Sequence, residues 1–202
     1  PPREERIDAL ERLVDDSAAR IAFYEPIFRP ALQQAFREVG TFSFSLVERA
    51  LQKATGETSV PRSSLYASTE ACVRLSDVPM CFMHVEEGFK REERERIESP
   101  QMEMKFPGQS RPEPEPKLRV ATIYKEPPGY STFEIAPNMR VPTSSVIYRA
   151  YYGETASEEI VEHEDQGEWE TSTGGPLSPL PMSVSVAHRG SNTYALLTLN
   201  RQ

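Results

Sequence analysis

The chain has 202 residues, with 23 Lys and Arg against 31 Asp and Glu, which gives a net charge of −8. Its hydrophobic share of 38% is too high for a wholly disordered protein. No stretch approaches the roughly 20 apolar residues that a membrane-spanning helix needs. The acidic balance counts against broad binding to a phosphate backbone, which requires a basic face. We therefore expect a soluble protein with one or two domains, no membrane span and no nucleic-acid partner.

The two cysteines, Cys72 and Cys81, form neither a CxxC pair nor a complete zinc site. The first residues are charged and lack the apolar core of a secretory signal. We therefore expect buried free thiols and no cofactor. The expected location is intracellular, either the cytosol or an organelle interior reached after removal of a presequence.

Residues 1–99 carry helical patterns. Apolar residues recur at helical spacing from Arg3 to Tyr24 and again over 28–39, and prolines separate the two stretches. A third stripe follows Ser43 or Ser45, either of which can cap a helix, and it ends before Gly56. Because short amphipathic helices are unstable singly, these patterns predict a bundle.

The segment from Met80 to Ile97 begins apolar and becomes densely charged. Opposite charges four residues apart, such as Glu86 and Lys90, favour a solvated helix. The alternative is a strand over residues 80–85, and Gly88 weakens the helix by about 1 kcal/mol relative to Ala. The proline-rich segment 100–117 then predicts an extended linker and a domain boundary.

Residues 118–202 carry strand patterns instead, in short runs that alternate or are rich in β-branched and aromatic residues. These runs are Leu118–Glu126, Ser131–Ala136, Ser144–Tyr152, Met182–His188 and Asn192–Asn200. The last run is apolar on both faces, which predicts a central strand. A hairpin is predicted over 158–171, with a turn at 165–167. The chain is therefore predicted to be an α+β protein, in which an N-terminal short-helix bundle precedes a small antiparallel β-sandwich or barrel.

No motif for nucleotide binding, metalloprotease or serine-hydrolase chemistry occurs in the chain. The most suggestive histidine is His163, because carboxylates around a histidine can bind a divalent ion or act as acid and base. The surrounding carboxylates are Glu159, Glu162, Glu164 and Asp165. On a strand these side chains alternate between two faces, so a solvated acidic hairpin is the better interpretation.

Cys81 lies three residues before His84, a spacing that brings a thiol and an imidazole together on a helix. A reactive thiol is therefore one hypothesis. The apolar neighbours of Cys81 favour the alternative, a hydrophobic core stripe with a partly buried histidine.

The segment from Glu154 to Glu170 contains eight acidic residues and no Lys or Arg, whereas the rest of the chain is balanced. Such a concentrated field can steer a basic partner. We therefore predict a protein-interaction surface here, formed by Glu159, Glu162, His163, Glu164, Asp165 and Trp169. Trp169 either fills the β core or anchors a partner.

These observations favour a non-catalytic interaction protein, or a structural accessory subunit of a larger multiprotein assembly, that binds a basic surface on other protein subunits. A β-sandwich module for a ligand or peptide is the alternative, and a hydrolase or metal-dependent enzyme centred on His163 has less support. An outward tyrosine among Tyr148, Tyr151 and Tyr152 is a further hint of an interface. Charge reversal at Glu162 and Glu164 is expected to weaken association in a salt-dependent way.

Overall fold

The computed structural model of the chain describes residues 42–55, 78–90, 115–125, 129–153, 159–171, 173–189 and 192–199, together with isolated positions between 30 and 93. Its helices are α1 (Phe44–Thr55), α2 (Gly129–Thr132) and α3 (Val146–Tyr151). Its strands are β1 (Met80–Gly88), β2 (Lys117–Lys125), β3 (Glu159–Asp165), β4 (Pro181–Arg189) and β5 (Asn192–Leu199). A 3₁₀ turn, Gln166–Glu168, follows β3 directly.

The five strands form one antiparallel sheet in the order β2-β1-β5-β4-β3. The antiparallel β prediction for the C-terminal part is confirmed at this level, and its arrangement as a sandwich or barrel stays a prediction. The strands predicted at Leu118–Glu126, Met182–His188 and Asn192–Asn200 are β2, β4 and β5. As predicted from its two apolar faces, β5 is the central strand.

Hydrophobic side chains cover both faces of the sheet. Along β1, Met80 and Phe82 pack on the face that α1 covers, whereas Cys81, Met83 and Val85 belong to the core beneath α3. This is the alternation that a strand imposes. The sheet is therefore a central layer between two cores.

Three predicted elements are wrong, and a fourth, the hairpin over 158–171, is only partly present. The helix predicted for Met80–Ile97, inside the region 1–99 expected to be helical, is a strand over Met80–Gly88. A strand between two neighbours buries both of its faces, and residues 80–85, which are apolar except for His84, meet that need. The strand predicted for Ser144–Tyr152 contains helix α3, whose buried residues Val146, Ile147 and Ala150 have helical spacing.

The segment Ser131–Ala136 is not a strand either, since α2 ends at Thr132 and irregular chain follows. Phe133 and Ile135 are nevertheless both buried, as their alternation predicted. The predicted hairpin over 158–171 has its first strand, β3, but the partner of β3 is β4 rather than residues 168–171. The 3₁₀ turn and the loop after it connect β3 to β4. Asp165 and Gln166 hold this loop against the sheet through hydrogen bonds described below.

The predicted helix over Arg3–Tyr24 and most of the linker 100–117 lie outside the described residues. Four positions of the predicted helix over 28–39 are described as helical, and the rest lie outside the described residues as well. The predicted N-terminal helix bundle is therefore not supported. The third predicted helix is confirmed as α1, with Ser43 as its cap: the Leu46 amide donates to Ser43 Oγ at 3.1 Å. Among the described helices, none has the length and apolar character needed to cross a membrane.

Candidate protein-interaction surface

Strand β3, here called the acidic strand, lies at one edge of the sheet. Its register pairs Val161 with Ser185 and His163 with Ser183 of β4. Its contacts confirm the predicted division of its side chains. Glu159 and His163 bind groups on the α1 side of the sheet, whereas Glu162 and Glu164 bind α3.

Glu159 binds the first turn of α1. Its carboxylate accepts from the Ser45 amide at 3.1 and 3.2 Å, from the Ser45 hydroxyl, and from Ser185 Oγ at 2.6 Å. The amide of Phe44 donates to the same Ser185 hydroxyl at 3.2 Å. The Leu46 amide donates to Ser43, so each of the first three amides of α1 has a hydrogen-bond partner. A carboxylate is also favourable there because it meets the positive end of the helix dipole.

On the opposite face of the sheet, Glu164 accepts hydrogen bonds from the start of α3. Its Oε1 accepts from the Val146 amide at 2.6 Å, and its two oxygens accept from Ser145 Oγ at 3.1 and 3.0 Å. Ser145 in turn accepts from the amide of Ile147 at 3.1 Å. Burial raises the pKa of Glu164, and the hydrogen bonds from Val146 and Ser145 oppose that shift. The acidic strand therefore caps one helix on each face of the sheet.

The end of the acidic strand organises the loop that leads to β4. Asp165 Oδ1 accepts from the amides of Gly167 at 2.7 Å and Leu180 at 3.1 Å. Gln166 is fully buried, accepts from the Glu134 amide at 2.9 Å and donates to Ser178 O at 3.2 Å. These bonds close the loop against the sheet.

Trp169 has no exposed surface and belongs to the α3-side core. Of the two roles open in the sequence, filling the core is therefore the one observed. Its indole Nε1 has no hydrogen-bond partner within the described part of the chain. Trp169 is thus not an exposed anchor for a partner.

Three tyrosines meet at the end of α3 and are called here the tyrosine cluster: Tyr148, Tyr151 and Tyr152. The ring of Tyr152 lies 4.6 Å from that of Tyr148 and 5.1 Å from that of Tyr151. Tyr152 is 44% exposed, and its hydroxyl donates to Glu87 of β1 at 2.8 Å. Partial burial, followed by the bond to Glu87 and that group's charge, raises the pKa of Tyr152, so the hydroxyl remains a donor.

Arg149 follows Tyr148 in the chain and binds the acidic strand. It lies in the last turn of α3 and forms a salt bridge with Glu162. The sequence indicates the tyrosines as part of an interface, but it does not indicate Arg149 or Glu87. The available signal was the spacing of Tyr148 and Tyr152, which are neighbours only if the segment is a helix.

Within the described residues, the structure does not bring together the side chains that either enzymatic hypothesis requires. No group of three or more His, Cys, Asp and Glu side chains is placed there to hold a metal ion. His163 is exposed, and its Nδ1 lies 3.0 Å from Ser183 Oγ. Cys81 and His84 are on opposite faces of β1. Cys81 lies in the α3-side core, whereas the ring of His84 lies 4.9 Å from that of Tyr194 on the other side of the sheet. Burial raises the pKa of the Cys81 thiol to about 12.

No protein-family model matches this chain, and a search of curated proteins finds no significant match.

Proposed function

We propose that the protein is a non-catalytic interaction protein, a structural accessory subunit that binds another protein through the tyrosine cluster and the acidic strand. The observation that carries the proposal is the exposure of Tyr152 within a group of three rings beside Arg149. Tyrosine and arginine are enriched at protein interfaces and among the residues that dominate binding energy. The two large hydrophobic residues exposed in the described part of the chain are Tyr152 and Val161. Tyr152 directly follows α3, whereas Val161 lies on β3 on the same face as Glu159 and His163, which is the face of the sheet opposite α3.

Charge supports the same surface. The carboxylates of Glu164, Asp165 and Glu168 accept hydrogen bonds from neutral donors, namely the amides of Val146 and Leu180 and the hydroxyl of Ser144. Glu170 is exposed as well. A field of this sign steers a basic partner toward the surface.

The experiment is purification of the full chain from its native source at physiological ionic strength, followed by native mass spectrometry. We expect a complex of defined stoichiometry, heavier than the 22.9 kDa monomer. Substitution Tyr152→Ala removes the exposed ring and is expected to weaken the complex about tenfold or more. The matched control is Tyr152→Phe, which keeps the ring and loses only the bond to Glu87. Recovery of the free monomer under these conditions would overturn the proposal.

A further inference from the structure

The segment that leads into β4, residues 175–181, is called here the proline loop. Its sequence is Gly-Pro-Leu-Ser-Pro-Leu-Pro, with prolines at positions 176, 179 and 181. A proline ring fixes its own φ at about −65° and disfavours the helical region for the residue before it. The three prolines and the three residues before them are therefore restricted to extended or polyproline conformations.

The side chains of the proline loop follow a period of three. Leu177 is 4% exposed and belongs to the α3-side core, and Leu180 packs against the same core. Pro176, Ser178 and Pro179 are exposed. Because a polyproline helix has three residues per turn, Leu177 and Leu180 lie on one of its edges and the exposed residues lie on the other two. The leucine edge anchors the loop, and the remaining two edges face solvent.

Hydrogen bonds hold the backbone of the proline loop in this position. The Leu177 amide donates to Trp169 O at 2.9 Å, and the Leu180 amide donates to Asp165 Oδ1 at 3.1 Å. The carbonyl of Leu180 accepts from the Gln166 amide at 2.9 Å. A segment that is already ordered pays little conformational entropy when a partner binds it.

We infer that the proline loop binds an aromatic-lined groove on a partner protein. Such grooves recognise Pro-x-x-Pro segments in the polyproline conformation. Pro176 and Pro179 provide this spacing on the exposed edges, and the buried leucines lie on the edge that a groove does not need to contact. The carbonyl oxygens of Pro176 and Pro179 accept no hydrogen bond from the described residues, so both can accept from donors that line the groove.

A carboxylate beside the first proline indicates the charge of the groove. Glu170 lies opposite Pro176 in an isolated antiparallel bridge, and its side chain is exposed. None of the hydrogen bonds or ion pairs within the described part of the chain uses this carboxylate. We therefore expect Lys or Arg at the rim of the groove, because charge complementarity favours encounter. The inference goes beyond the proposed function, since none of these contacts involves the tyrosine cluster.

The test uses the full chain and a panel of purified SH3 and WW domains, whose aromatic grooves bind proline-rich segments. Affinity is measured by isothermal titration calorimetry at physiological ionic strength. We expect at least one domain with Lys or Arg at its groove rim to bind with a Kd below about 1 mM. A panel in which no domain reaches that affinity would overturn the inference.

Two substitutions test the contact from the side of the protein. Pro176→Ala and Pro179→Ala each remove an exposed ring and keep both leucine anchors, and each is expected to reduce affinity for the bound domain about tenfold or more. The matched control Pro137→Ala removes an exposed proline from a turn outside the loop and is expected to leave affinity unchanged. Blue-shifted emission from the buried Trp169 verifies that each variant is folded.

Three results with these variants would also overturn the inference: full affinity in both Pro176→Ala and Pro179→Ala, an equal loss in Pro137→Ala, or loss of domain binding in Tyr152→Ala. The tyrosine variant is expected to bind the domain as the wild type does. A native complex that depends on Tyr152 would leave the proposed function standing even if no domain bound the proline loop, so the two failures are distinguishable.

Discussion

Removal of the Glu164 carboxylate should release the start of α3 from the sheet. In Glu164→Ala, the Val146 amide and the Ser145 hydroxyl lose their acceptor in positions that are 0% and 1% exposed. Each unsatisfied buried donor costs about 1–3 kcal/mol, and removal of a buried charge offsets part of that cost. We therefore expect the free energy of unfolding at pH 7 to fall by about 2–4 kcal/mol.

Two variants make this measurement specific. Glu164→Gln keeps an oxygen acceptor for the Val146 amide and is expected to stay within about 1 kcal/mol of the wild type. Glu170→Ala removes an exposed carboxylate of the same acidic segment and should leave stability nearly unchanged, because surface substitutions have small effects. The assay is urea denaturation with constant m-value.

The pH dependence has a defined sign. Because burial raises the pKa of Glu164 above its ordinary value of 4.5, the folded protein holds this proton more tightly than the unfolded chain does. Protonation of Glu164 therefore adds a stabilising contribution that is fully present below pH 4.5 and is lost as the pH rises through the folded-state pKa. The hydrogen bonds that the side chain accepts from Val146 and Ser145 are separate from this contribution and remain at pH 7. We expect the stability difference between wild type and Glu164→Gln to shrink over this range. A difference that grows with pH, or an alanine variant as stable as the glutamine variant, would refute the reasoning.

Three further predictions follow from buried groups. Ser43→Ala should lower the free energy of unfolding by about 1 kcal/mol, because the Leu46 amide loses its cap; an unchanged melting temperature would contradict this. Cys72 and Cys81, each buried and with a pKa raised to about 12, should resist a thiol reagent at pH 8 until the protein unfolds, and rapid labelling of the folded protein would contradict their burial. Emission from Trp169, the only tryptophan, should be blue-shifted and poorly quenched by iodide in the folded protein, and readily quenched after denaturation; ready quenching in the native state would contradict the core position.

The sequence predicts strands best where the side-chain pattern of the strand itself determines its position in the sheet. Alternation located β4, and the apolar character of both faces placed β5 at the centre of the sheet. The same rule applied to residues 80–85 would have identified β1, but the charges that follow at 86–98 favoured a helix. The helix prediction for this segment was therefore wrong because it followed the local charge pattern, whereas the apolar residues indicated a buried strand.

Helix α3 was missed because its start depends on a residue far along the chain. Val146 and Tyr148 have the β-branched and aromatic character typical of strands, and Ser145 alone is a weak signal of a helix cap. The acceptor that completes the cap is Glu164, which only the folded sheet brings near. Propensity is a weak prior that tertiary contacts override.

Of the hairpin predicted over 158–171, the first strand and the turn are present, but the second strand is replaced by β4, and the carboxylates were expected to be solvated. Glu159 and Glu164 instead cap helices, so charge reversal at Glu164 would disturb the fold as well as any partner. Charge reversal at the exposed Glu168 and Glu170 is the cleaner test of electrostatic attraction.

The central position of β5 has a consequence for biosynthesis. Without residues 192–199, β1 can pair only with β2, and β4 only with β3, so two separate pieces each present an apolar strand to solvent. Because β1 and β4 each pair with β5, the sheet cannot be completed before residues 192–199 have been synthesised. Pairing between distant parts of a chain is also slow. The nascent chain is therefore exposed to aggregation, and to capture by chaperones, up to the moment its last described strand is made.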